Sequence, residues 1–193
     1  MDLALDAALD VVRALRDLRV DYLVGGSVAS SLYGLPRTTN DVDIVADLKL
    51  AHIPQLVSAL EASFYIDGDR ARHAVERRSS FNVIYLRTMF KVDLFVLKED
   101  LLSREEMRRR RRVTVGDGEH QIEIEVASAE DVVLQKLDWY RLGNRVSDRQ
   151  WTDLLGVLKV QTDLDHDYLG RWTSELGLDD LYREALREAG LDP

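Results

Sequence analysis

A short β-rich run at residues 20–24 stops at Gly25-Gly26, and a second begins a helix's length later with Asp41-Val42-Asp43. Between them Ser27 opens a short helix ending near Gly34, and residues 36–40 read as loop. A strand that ends in two glycines lets backbone approach a ligand closely. The helix N-terminus behind it offers free N–H groups and a positive dipole end to phosphate, and Ser27 adds a hydroxyl donor. Side chains alternate along a strand, so Asp41 and Asp43 share a face. Two adjacent carboxylates stay ionised together only if a cation or hydrogen-bond donors compensate them. A divalent ion is the natural compensation, and Mg²⁺ prefers oxygen ligands.

A third acid sharpens this. Residues 91–97 (KVDLFVL) are apolar on both faces and read as a buried central strand, which Asp93 interrupts. A carboxylate there is costly unless it is paired or bound to metal. If this strand pairs with residues 41–45, three carboxylates gather. Such a set suits a two-metal site for phosphoryl transfer, with Asp93 helping to activate the nucleophile as ligand or base. Taken singly, each feature has a plainer reading: a tight turn for Gly-Gly-Ser, a solvated strand end for Asp-x-Asp, and an ion pair with Lys91 or Arg87 for Asp93. The arrangement as a whole is far more restrictive than its parts.

The rest of the chain frames these segments. Apolar residues at helical spacing predict an amphipathic helix over 2–19, and another helix spans 48–61. Strands are expected at 81–86 and 91–97, a helix at 99–109, and a hairpin of residues 113–115 and 121–126 around Gly116-Asp117-Gly118. After residue 127 almost everything is helical, with starts near Ser128, Ser147, Asp165 and Leu178. The predicted fold class is a mixed α/β (α+β) sheet core over residues 1–127, followed by a helical region at 128–193.

The segment LVGGSVASSLYGLPRTTNDVDIV resembles the signature of the polymerase-β-type nucleotidyltransferase superfamily, which runs from Gly-Gly or Gly-Ser to Asp-x-Asp. With Tyr33-Gly34 and Pro36-Arg37-Thr38-Thr39 before Asp41-Val42-Asp43, it is most similar to the minimal nucleotidyltransferases related to AbiEii abortive-infection toxins. The resemblance covers residues 20–97 well and extends loosely to the helices around Lys136 and Asp153. It implies a nucleotidyltransferase core whose C-terminal helical region closes an NTP cleft. It also implies Gly25, Gly26 and Ser27 at phosphate, with Asp41, Asp43 and Asp93 as ligands of Mg²⁺ or Mn²⁺. Members move a nucleoside monophosphate from an NTP to an acceptor and release pyrophosphate. Their acceptors include RNA 3′ ends (tRNA among them), proteins and small molecules. The toxin-like relatives imply a toxin–antitoxin pair with a separate antitoxin protein as partner.

In the helical half, Lys136 shares an arc with Val132, Val133, Trp139 and Tyr140. It either snorkels to the edge or, as the similar AbiEii-type segment implies, aims at triphosphate. Asp153 matches an acidic position of that family, while its spacing from Arg149 also allows a surface ion pair. Arg37 either grips a ligand phosphate or balances Asp41 and Asp43. The run Arg108, Arg109, Arg110, Arg111 and Arg112 is either an RNA docking patch or a solvated helix end. Asp165-His166-Asp167 reads as a helix N-cap.

Composition narrows the context. The 193 residues carry no cysteine, which excludes disulfides and thiolate zinc sites and fits a cytoplasmic protein. No apolar run reaches the length of a membrane span, and the acidic N-terminal stretch does not resemble an export signal. The net charge of -9 argues against general nucleic-acid binding, so local charge has to decide the acceptor. The leading expectation is NMP transfer from Mg-NTP to RNA, with a tRNA 3′ end as acceptor. Nucleotidylation of a small molecule or protein is the second reading, and a non-catalytic nucleotide-binding module the third.

Overall fold

In a computed structural model of the chain, residues 3–116 and 121–191 are described. The chain divides into two units, residues 1–25 with 39–126 and residues 26–38 with 127–193.

The first unit holds the sheet. Among the described residues its strands are β1 (Tyr22–Val24), β2 (Asp41–Ala46), β3 (Phe64–Ile66), β4 (Ser80–Tyr85), β5 (Phe90–Val96), β6 (Arg111–Val115) and β7 (Ile122–Val126). They order as β3-β4-β5-β2-β1-β7-β6. The pairs β2/β5 and β1/β7 run parallel, while the other neighbours run antiparallel. Alternation does the sorting. Val42, Ile44 and Ala46 of β2 and Val92, Leu94 and Val96 of β5 all point into the core. Helix α1 (Leu3–Asp17) packs on this side, against β2 and β5, with Val11 and Leu15 fully buried. Helix α3 (Ile53–Leu60) follows a 3-10 turn at Leu50–His52, starts on a proline, and packs against α1.

Two elements were absent from the sequence expectation: β3 and helix α4 (Gly68–Arg77). Asp67 caps α4, its carboxylate accepting from the Asp69 and Arg70 N–H groups at 3.0 Å each. Only two alanines, Ala71 and Ala74, anchor the helix inward, too weak an apolar stripe to stand out in a charged segment. Helix α5 (Leu101–Arg109) leads into the β6/β7 hairpin, which pairs as expected. Residues 117–120, which include part of the expected Gly116-Asp117-Gly118 turn, lie outside the described residues.

The second unit is helical: α2 (Gly26–Tyr33), α6 (Ala129–Leu142), α7 (Asp148–Val160), α8 (His166–Leu176) and α9 (Asp179–Ala189). Ser128, Ser147 and Asp165 cap α6, α7 and α8 with side-chain oxygens, the reason these helices were legible in sequence. Asp131 is fully buried and accepts from Tyr168 Oη at 2.7 Å and Ser128 Oγ at 2.7 Å. The unit also takes residues 26–38, which the sequence had grouped with the sheet. Gly34 explains this: a Cβ there would stand 2.8 Å from the Gly156 carbonyl carbon, so α2 lies backbone to backbone against α7.

Candidate active site

The parallel pairing of β2 with β5 sets Asp43 opposite Asp93 and Asp41 opposite Lys91. Their buried neighbours face inward, which leaves these four half-buried side chains on the other face. Antiparallel β4 adds Asn82 opposite Asp93, so Asn82, Asp93 and Asp43 form one rung across three strands. The Gly25 N–H donates to the Asp43 carbonyl at 2.9 Å, and Thr39 Oγ1 donates to Asp41 Oδ1 at 2.8 Å. The pairing of β2 with β5 puts the three acids on one face of the first unit.

What compensates them was only half foreseen. Lys91 Nζ stands 2.6 Å from Asp93 Oδ2. The Asp93 hydrogen bond lifts the lysine above its ordinary pKa, burial opposes this, and the charges of Asp93, Asp41 and Asp43 add to the lift. The plainer reading of Asp93 as an ion pair with Lys91 therefore describes the folded chain. Among the described residues no three His, Asp or Glu side chains are grouped so as to hold one metal ion. In kind, the carboxylates on an open face beside an amide fit a hard divalent cation. An ion drawing on Asp93 competes with Lys91 for the same oxygen.

The second unit gathers Ser27, Ser30, Arg37, Lys136 and Asp153. Gly26 has φ 55°, a left-handed turn into α2 that favours glycine. Asp153, with its side chain 4% exposed, binds Arg37 through two parallel bonds, Nε to Oδ1 at 2.8 Å and Nη2 to Oδ2 at 2.9 Å. Lys136 Nζ donates to Oδ2 at 2.8 Å, and Ser30 Oγ does so at 3.3 Å. Arg37 Nη2 also donates to Ser27 Oγ at 2.5 Å. Burial disfavours the Asp153 anion, but the hydrogen bonds and charges of Arg37 and Lys136 outweigh it and hold the carboxyl below its ordinary pKa. Two cations around one anion leave the cluster positive, beside a helix N-terminus that favours anions.

This bears on the alternatives left open for Asp153, Lys136 and Arg37. Asp153 forms no surface pair with Arg149; it is buried in the cation cluster. Lys136 does not snorkel, since its side chain is 5% exposed. Arg37 is paired with Asp153. Lys91, Asn82 and Ser30 were missed as site residues. Lys91 carried a signal, because it alternates with Asp93 on one strand. In the arginine run, Arg108 pairs with Glu105, Arg110 with Asp21 and Glu125, and Arg112 with Glu123 and Glu125. Acidic neighbours thread that run, which favours the solvated-end reading.

No family model matches the sequence, and comparison with curated proteins gives no match. Solved structures do match in fold. An antigenic nucleotidyltransferase-like protein from Paracoccidioides brasiliensis aligns over 96% of this chain and 93% of its own, at TM-score 0.54 and 17% identity. The antibiotic-resistance factor ANT(2'')-Ia aligns over 95% and 99%, at TM-score 0.56 and 11% identity. JHP933 from Helicobacter pylori aligns over 98% and 81%, at TM-score 0.50 and 18% identity. The chain therefore has a mixed α/β fold shared with nucleotidyltransferase-like proteins. Among the described residues no helix is long and apolar enough to cross a membrane.

Proposed function

We propose that the protein is an NTP-dependent nucleotidyltransferase that moves a nucleoside monophosphate to an acceptor hydroxyl and releases pyrophosphate. The observation that carries this reading is the register of β2 with β5, which sets Asp41, Asp43 and Asp93 on one open face of a fold shared with nucleotidyltransferase-like proteins. In this reading Asp41, Asp43 and Asp93 are the residues that would hold Mg²⁺ or Mn²⁺, which would neutralise charge at the phosphates, with Asp93 released from Lys91 as ligand or proton acceptor. Gly25 marks the end of β1 before the turn. Gly26, Ser27, Arg37 and Lys136 contact the nucleotide's phosphates, and Asp153 contributes by holding the two cations.

The acceptor in this reading is an RNA end, such as a tRNA 3′ end, and the protein is the toxin of a toxin–antitoxin pair with an antitoxin partner. What supports this finer reading is the sequence resemblance of residues 20–97, a fold-level analogy. The test is incubation with each α-labelled NTP, Mg²⁺ and total RNA beside Asp43→Ala. Label in tRNA that disappears in Asp43→Ala is expected. Label confined to protein or to a small product overturns the RNA acceptor, and NTP binding without transfer to any acceptor overturns the enzyme reading.

A further inference from the structure

Within the first unit a cavity of about 350 Å³ opens beside Asp93. One wall is α4, which presents Arg70, His73 and Arg77; Ser80 and Asn82 of β4 line it too, and Asp93 is also part of the lining. Positions 70, 73 and 77 fall on one helical stripe, and the Asp67 cap fixes where that helix begins. All three side chains are exposed. Arg70 is 3.5 Å from Asp67 and His73 is 3.5 Å from Glu76, each pair on an exposed helix surface. Pairs of that kind hold their partners weakly, so the wall can turn its positive charge to a ligand.

We propose that this cavity is the acceptor site and that it selects a hydroxyl compound carrying a phosphate. The inference rests on the nucleotidyltransferase reading, because it uses Asp93 as the group that meets the acceptor hydroxyl. The volume lies at the small end of ligand pockets and suits one nucleotide. Arg70 and Arg77 suit a phosphate, to which guanidinium binds bidentately. Ser80 and Asn82 offer neutral hydrogen bonds to a sugar. Asp93 ends the row in the rung shared with Asn82 and Asp43. In the reaction the acceptor oxygen forms a bond to the NTP α-phosphorus and its proton passes to Asp93. The bond from that phosphorus to the bridging oxygen breaks, and pyrophosphate leaves with the electron pair. A polyamine acceptor would meet charge repulsion at the α4 wall. The terminal nucleotide of an RNA strand and a free phosphorylated alcohol both carry the required chemistry.

Binding decides it without turnover. A short 5′-fluorescein RNA ending in a 3′-hydroxyl is titrated with the full chain, without NTP, and fluorescence anisotropy is read. Arg70→Ala/Arg77→Ala should weaken binding about tenfold or more, the loss of charge-assisted hydrogen bonds to phosphate. Arg70→Lys/Arg77→Lys should keep most of the affinity, and Arg183→Ala/Arg187→Ala, a charge-matched pair on α9, should change it less than about twofold. Unchanged affinity in the first variant, or an equal loss in the α9 pair, overturns the proposal. Competition by free AMP at concentrations similar to the RNA identifies a small phosphorylated alcohol as sufficient; displacement by oligonucleotide alone identifies the strand end. Pyrophosphate release by the wild type is measured separately. Its absence with every NTP sinks the enzyme reading, whereas release accompanied by an indifferent α4 wall sinks only the acceptor site.

Discussion

Asp153 keeps its charge inside the helical unit because Arg37, Lys136 and Ser30 all donate to it. Its folded pKa lies below the unfolded value, so its stabilisation is fully present above the unfolded pKa and disappears as pH falls through the folded one. Asp153→Asn removes the anion and leaves Lys136 buried without it, a change that costs about 3 kcal/mol at neutral pH. Urea unfolding of wild type and variant across a pH series checks this. The gap should be full at pH 7 and narrow below about pH 4, near the ordinary carboxylate pKa; a gap that stays constant to low pH contradicts it. The sequence showed Asp153 only as four residues after Arg149. Its real partners lie 116 and 17 residues away, a pairing that periodicity along one helix cannot display. Asp41 and Asp43 were legible because strand alternation puts both on one side, and Asp93 because it interrupts an apolar run; that it joins them depends on the pairing of β2 with β5.

At the scale of elements, capping and close approach decide what the sequence reveals. Helices α6, α7 and α8 announced themselves through Ser128, Ser147 and Asp165. Helix α4 did not, since its inward face is two alanines and its outward face is charge. Helix α2 was visible, but its attachment was not, because that depends on two glycines meeting across the fold. A Gly34→Ala methyl would meet backbone of Gly156 and Val157 at 2.8 Å and the Ser30 carbonyl at 3.0 Å. Backbone cannot yield as a side-chain tip does, so overpacking of about 2 kcal/mol is expected. In calorimetry Gly34→Ala should lower the melting temperature by about 5 °C. Gly156→Ala, whose methyl meets only the Leu35 amide nitrogen at 3.2 Å and its side chain beyond, should lower it less. The reverse order would refute the close α2–α7 contact.

Across the whole molecule, charge is sorted rather than spread. The chain carries a net charge of -9, yet the helical unit holds a net-positive cluster and the α4 wall of the sheet unit is basic. Net charge read from composition argued against nucleic-acid binding, and local placement argues for an anionic acceptor beside Asp93. The composition change near residue 127 marked where the second long stretch of the helical unit begins, while residues 26–38 joined it through packing. The proposed reaction is nucleotidyl transfer at the acids of β2 and β5. It is tested most directly by supplying the protein with Mg²⁺, acceptor RNA and one NTP labelled at either the α- or the γ-phosphate. The α-label is expected in the acceptor and the γ-label in released pyrophosphate, and neither with Asp93→Asn. Transfer of the γ-label to the acceptor, or undiminished product from Asp93→Asn, contradicts it.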